Sequence, residues 1–149
     1  MTTKLGAAAV FLLSLCAATT AEAAETSVTY SRTIQTACPD SGCSIGFPDV
    51  QTGKRLEIES VSCIATIDAA SALIIPVLEV RRNGLGQGFR AALIPTKLGV
   101  QNDNAVFALS HTGLVPVAAN LSPRVTVITD VSNSVVLACT ISGHLFTRT

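Results

Sequence analysis

The chain has 149 residues, 48% apolar and 13% charged, with ten basic and ten acidic side chains and a formal net charge of zero. Those proportions exclude intrinsic disorder, an acidic tail protein and a strongly basic nucleic-acid binder, so no nucleic-acid partner is expected.

The first element is a leader. Lys4 precedes an apolar run from Leu5 to Ala18, and Ala21-Glu22-Ala23 fits an A-x-A cleavage site. Residues 1–23 are therefore expected to be a signal peptide cut after Ala23. The run is shorter than the about 20 residues of a comfortable membrane span, which weighs against an uncleaved anchor and leaves no membrane span after cleavage. Lipidation at Cys16 is a lesser alternative, because Leu15 is larger than the residue that normally precedes a lipidated cysteine. The remaining 24–149 are expected to fold as a single domain, secreted or periplasmic. At about 126 residues it can bury roughly two-thirds of the surface of its unfolded chain.

Export permits disulfides. Four cysteines remain after cleavage, Cys38, Cys43, Cys63 and Cys139, and four cysteines allow three pairings. Cys38 and Cys43 flank Pro39-Asp40-Ser41-Gly42, a turn-forming tetrad that lets them close locally, which leaves Cys63 with Cys139. A four-cysteine zinc site is disfavoured, since C-x-x-C is absent and Cys63 and Cys139 each stand alone in an apolar run.

Beyond residue 24 there are fourteen Val, ten Ile and thirteen Thr, side chains that suit strands. Val28, Tyr30 and Ile34 alternate with Ser and Thr over 28–36. The segment Glu25–Thr36 suits either the domain's own first strand or a strand donated to a neighbour. A second run follows over 54–67, where the apolar phase of Leu56 and Ile58 slips before Val61. That slip predicts a bulge close to Ser60. Further runs are Ala72–Arg82, Phe89–Thr96, Ala105–Ser110, Leu114–Ala118, Arg124–Asp130 and Ser134–Phe146, separated by turn signals at Asn83-Gly84, 101–104, Thr112-Gly113 and 131–133. Pro76, Pro95 and Pro116 are expected at edges, strand ends or bulges. About eight short strands at this spacing predict an all-β fold, an antiparallel β-sandwich of jelly-roll or Greek-key type. In the last run Val135, Leu137, Cys139, Ile141 and Leu145 share one face, so Cys139 points toward the core.

Two of these segments carry a resemblance. Gly53-Lys54-Arg55-Leu56-Glu57-Ile58-Glu59-Ser60-Val61-Ser62-Cys63 and Cys139-Thr140-Ile141-Ser142-Gly143-His144-Leu145 resemble a group of small exported proteobacterial proteins. That group shows a GKRLxIExVS strand and a closing xxSGxL strand. The resemblance implies export and a compact β-sandwich, and brings no activity and no catalytic residue.

Groups for chemistry are few. His144 falls on the polar face of the last strand, as a solvated residue. His111 precedes Thr112-Gly113 at an expected strand end, in the kind of loop where sites cluster. Glu57 and Glu59, two apart on a strand, share a face at about 6.8 Å, a spacing that overlaps that of glycosidase carboxylates. If 54–67 and 72–82 form a hairpin around Asp68–Ser71, Arg81 faces this pair and the charges are ordinary surface stabilisation. Asn83-Gly84-Leu85-Gly86-Gln87-Gly88 lacks phosphate-loop spacing and is expected to be a mobile hairpin loop. H-E-x-x-H and G-x-S-x-G are absent. Tryptophan is absent too, and stacking platforms for sugars or single-stranded nucleic acid want more aromatics than the mature chain holds.

No catalytic, cofactor-binding or metal residue is assigned, and no cofactor is expected. The sparse ionisable groups favour an exported, non-catalytic β-sandwich with a binding, surface or structural role toward an unidentified protein or glycan partner. The alternative is an envelope hydrolase or other enzyme whose loops assemble a site from His111, Asp103, Glu57 and Glu59.

Overall fold

The computed structural model describes residues 25–83, 85–131 and 134–148. The leader, its cleavage site and Cys16 lie outside the described residues.

Period-two alternation builds nine strands among the described residues: β1 (Glu25–Cys38), β2 (Gly42–Gly46), β3 (Lys54–Asp68), β4 (Leu73–Arg82), β5 (Leu85–Ala92), β6 (Ile94–Gln101), β7 (Asn104–Val117), β8 (Ser122–Thr129) and β9 (Val135–Arg148). They form two antiparallel sheets, ordered β1-β9-β3-β7-β6 and β2-β8-β4-β5. The fold is a β-sandwich, as the strand pattern predicts. Among the described residues no helix is long and apolar enough to cross a membrane.

The core lies between the sheets, where each strand turns one row of side chains inward. Leu56, Ile58, Val61, Cys63, Ala65 and Ile67 form the buried row of β3, and Val135, Leu137, Cys139 and Ile141 that of β9. Val125 and Val127 of β8 and Leu78 and Val80 of β4 meet them from the other sheet. Burying each larger aliphatic side chain contributes about 1.5–3 kcal/mol.

The phase slip in β3 is a bulge: the register with both neighbours shifts between Ile58 and Ser60. Glu59 is an extra residue against β9, and Gly113 and Leu114 of β7 stand against Glu59 on the other side. Leu114 and Thr112-Gly113 therefore do not end a strand. The expected pair 105–110 and 114–118 is one continuous strand, β7, because Gly113, at a φ of 145°, takes up the irregularity as a bulge.

The sheet partners differ from the expected hairpin between 54–67 and 72–82. β3 and β4 lie in different sheets, and the Asp68–Ser71 link crosses the sandwich, so Arg81 does not face Glu57 and Glu59. β4 pairs instead with β5, and a two-residue hairpin joins β6 to β7. Asn102 and Asp103, both at positive φ, supply the type I′ geometry whose twist matches the flanking strands. The Gly-rich stretch expected as a mobile loop from Asn83 to Gly88 is a strand from Leu85 onward. The expected strand Phe89–Thr96 is broken at Leu93, where the chain passes from one sheet to the other. The Leu93 side chain is buried and its N–H donates to the Pro76 carbonyl at 3.0 Å. β2 had no signal in the sequence, being five residues bounded by glycines with only Cys43 and Ile45 buried.

Pro76, Pro95 and Pro116 sit where a missing donor is tolerated by the ladder. Pro95 is in the edge strand β6, and Pro116 is in the part of β7 that extends past β6. Pro76 lies beside the β4 bulge, just beyond the pairing with β5. β6 is also guarded against further pairing by Lys97 and its own bulge between Lys97 and Gly99.

Both disulfides form as expected, Cys38 with Cys43 and Cys63 with Cys139. The second joins directly opposed residues of β3 and β9 inside the core. β1 pairs with β9 over all 14 of its residues, so Glu25–Thr36 serves as the domain's own first strand.

Candidate functional site

The sequence-derived candidates fall in four separate places. Asp103 occupies the tip of the β6–β7 hairpin, where its carbonyl accepts from the Ala69 N–H at 2.9 Å. His111 is not at a strand end but inside β7, opposite the buried Val61, and so on the inward side of the sheet. It is eight positions on from Asp103, about 27 Å along an extended strand. Glu57 and Glu59 point to the outer side, since Leu56 and Ile58 fill the inner row. The five-stranded sheet thus stands between His111 and the two glutamates, and the four candidates of the enzyme reading are not brought together.

Glu57 and Glu59 have partners other than Arg81. Glu57 Oε1 lies 3.4 Å from Arg55, whose guanidinium also pairs with Glu25 Oε2 at 3.1 Å and covers the Phe146 ring at 4.6 Å. The bulge turns Glu59 toward His144, 3.5 Å away. His144 is therefore an ion-pair partner whenever it is protonated, rather than simply solvated. These contacts are exposed or half-exposed, and pairs of that kind contribute about 0–1 kcal/mol. Replacing Glu57 and Glu59 by glutamine is expected to leave the unfolding midpoint within about 3 °C of the unaltered protein, read by circular dichroism. Among the described residues no group of three His, Cys, Asp or Glu could hold a metal ion.

Glu79 is the buried carboxylate that the sequence did not single out. It lies on the outer side of β4, yet its side chain is only 7% exposed. Arg81 donates to Oε2 at 2.7 Å and Arg90 lies 3.3 Å from Oε1. Both oxygens are engaged, so the cluster holds a buried charge by pairing it. The one sequence clue was the register of Glu79 among arginines.

A concave site does exist, at the end of the sandwich where β3 begins and β7 ends. Its volume is about 600 Å³. Three physical features build it. β6 pairs with β7 only from Ser110 back to Asn104, so the lower part of β7 has an open flank. The turn 118–121 is pinned to the segment after β2: Val50 N–H donates to the Leu121 carbonyl at 2.9 Å, and Asn120 N–H to the Val50 carbonyl at 2.7 Å. The β5 bulge, where residues 87–89 stand against Val80 alone, places Phe89 at the cleft wall. Val80, Phe89 and Leu121 give apolar wall, and Lys54, Arg55 and Glu25 give a charged rim.

A smaller concavity of about 280 Å³ adjoins it and shares Lys54. Tyr30, Arg32, Asp49 and Leu145 also line it. Burial pushes the Tyr30 phenol above its ordinary value, partly offset by the positive charge of Arg32.

None of the site candidates read from the sequence, His111, Asp103, Glu57 and Glu59, belongs to this lining. The lining comes from segments far apart in the chain and has no common motif. Searches of protein-family models and of the curated proteins find no match to this chain.

Proposed function

We propose that the protein is an exported β-sandwich that binds, without transforming, a small ligand in the cleft between Lys54 and Phe89. The observation that carries this reading is the cleft itself. Its volume of about 600 Å³ lies within the about 300–1,000 Å³ of small-molecule sites, with mostly apolar walls and a few charged groups at the rim. The proposed compartment is supported by the leader expected at residues 1–23 and by two disulfides, which fit an oxidising environment. The likeness to small exported proteobacterial proteins supports the same address. The single domain from residue 24 onward is the binding unit.

The test uses the chain expressed with its leader, purified from the periplasm of a Gram-negative host and beginning at Ala24. Titration with N-phenyl-1-naphthylamine, a neutral fluorophore, is expected to show saturable binding of about one probe per protein. Ala118→Trp fills the cleft from an exposed loop position and is expected to weaken binding at least about tenfold without lowering the unfolding midpoint. Unsaturable binding, or equal affinity in the tryptophan variant, overturns the reading.

A further inference from the structure

Among the described residues Lys54 is the cation that stands where the two concavities meet. It opens β3 in the same alternation as the buried Leu56 and Ile58, so its stem lies on the inward side of the sheet at the mouth of the sandwich. The residue is half-buried, and it lines both the larger cleft and the smaller concavity beside it. Arg55, Arg81, Arg90 and His144 have carboxylate partners, whereas among the described residues Lys54 makes no ion pair. Glu25 on the rim is held by Arg55, and Asp49 lines the smaller concavity with both Arg32 and Lys54 without forming an ion pair among the described residues.

We propose that the cleft takes an amphiphile with an anionic terminus, whose charged end is held by the Lys54 ammonium. Its alkyl chain lies against Val80, Phe89 and Leu121. This rests on the binding function proposed above and gives it a ligand class. The chemistry follows from the two parts of the site. Apolar walls reward the burial of a chain, at about 25 cal/mol per Å². An ammonium that makes no ion pair within the protein favours an acceptor carrying full negative charge over a neutral one. An alcohol would satisfy the walls and leave the ammonium with a weaker partner. A bare phosphate would satisfy the ammonium and leave the walls wet. A sugar would find one aromatic ring, Phe89, on which to stack.

Three probes separate these cases on the mature, disulfide-bonded protein: dodecanoate below its micelle concentration, dodecanol, and inorganic phosphate. Displacement of N-phenyl-1-naphthylamine reads all three. Dodecanoate is expected to bind about tenfold more tightly than dodecanol. Lys54→Met keeps the apolar stem and removes the charge, so it is expected to bring dodecanoate down to the affinity of dodecanol while leaving dodecanol unchanged. Lys54→Arg is expected to restore most of the difference, which a merely structural role of the lysine would not produce. Millimolar phosphate is expected not to displace the probe.

Equal binding of dodecanoate and dodecanol, or no effect of Lys54→Met on dodecanoate, overturns the Lys54 anchor and leaves the cleft as a binding site. Displacement by phosphate alone overturns the amphiphile in favour of a simple anion. Failure of every probe, with no effect of Ala118→Trp, overturns both this ligand class and the binding function beneath it.

Discussion

Replacing Cys63 and Cys139 together by alanine is expected to lower the stability of the domain by about 4.5 kcal/mol, and its unfolding midpoint by about 15 °C. The two residues are 76 apart in sequence and opposed in register between β3 and β9. The loop they close contains all of β4, β5, β6, β7 and β8, five of the nine strands among the described residues. Reduction therefore frees a long stretch of unfolded chain, and most of the loss is entropy gained by that state. Removing the sulfurs from a core where both residues are 1% exposed adds a smaller packing loss. The bridge between Cys38 and Cys43 spans only five residues, and the matching double alanine variant is expected to lose about 2 kcal/mol. Thermal unfolding of the two variants beside the oxidised protein measures the difference. Equal losses from the two pairs would show that loop length is not what sets the contribution of the core bridge.

The contrast between the two bridges also shows where local signals in this sequence carry far and where they stop. The alternation of β9 and the slip in β3 are local patterns, because one face of each strand is buried and a one-residue shift exposes a core side chain. The short bridge was legible from its turn tetrad, and the core bridge followed once that pair was set aside. Sheet membership was not legible. The link Asp68–Ser71 has the length and composition of a hairpin turn, yet it crosses the sandwich, because the partners of β3 are β7 and β9 from much later in the chain. Leu93 gave no sign of the crossing either, being one apolar residue within an apolar run. Thr112-Gly113 gave a false turn, since a positive-φ glycine serves a bulge as well as it serves a reversal. His111 was misplaced with it. The cleft was hidden for the same reason at larger scale: Lys54, Val80, Phe89 and Leu121 meet only through that non-local pairing.

The bulge in β3 depends on a residue in another strand, and that dependence gives the second large effect. Gly143 of β9 is the register partner of Ile58, the last pair before Glu59 interrupts the ladder. An extra residue makes β3 arch, and here the arch fills the space that a side chain at position 143 would need. A Cβ built there lies 1.9 Å from the Glu57 carbonyl oxygen and 2.9 Å from both the Glu57 carbonyl carbon and the Ile58 Cα. All three atoms are backbone, so no rotamer change relieves the clash. Gly143→Ala must either push β3 away from β9 or remove the bulge. Removing the bulge would shift Leu56 and Ile58 out of phase with Val61 and expose one set of core side chains. The expected loss is about 3 kcal/mol or more, equivalent to a midpoint lowered by about 10 °C. Gly42→Ala is the control: a Cβ there meets nothing within 4 Å, and its φ is not in the left-handed region. That variant is expected to melt within about 3 °C of the unaltered protein. The comparison isolates the close approach from the general cost of losing a glycine in a strand. Should Gly143→Ala also melt with the unaltered protein, β3 would have to be free to retreat from β9, and the bulge at Glu59 would not be the fixed junction on which Lys54 and the cleft mouth are mounted.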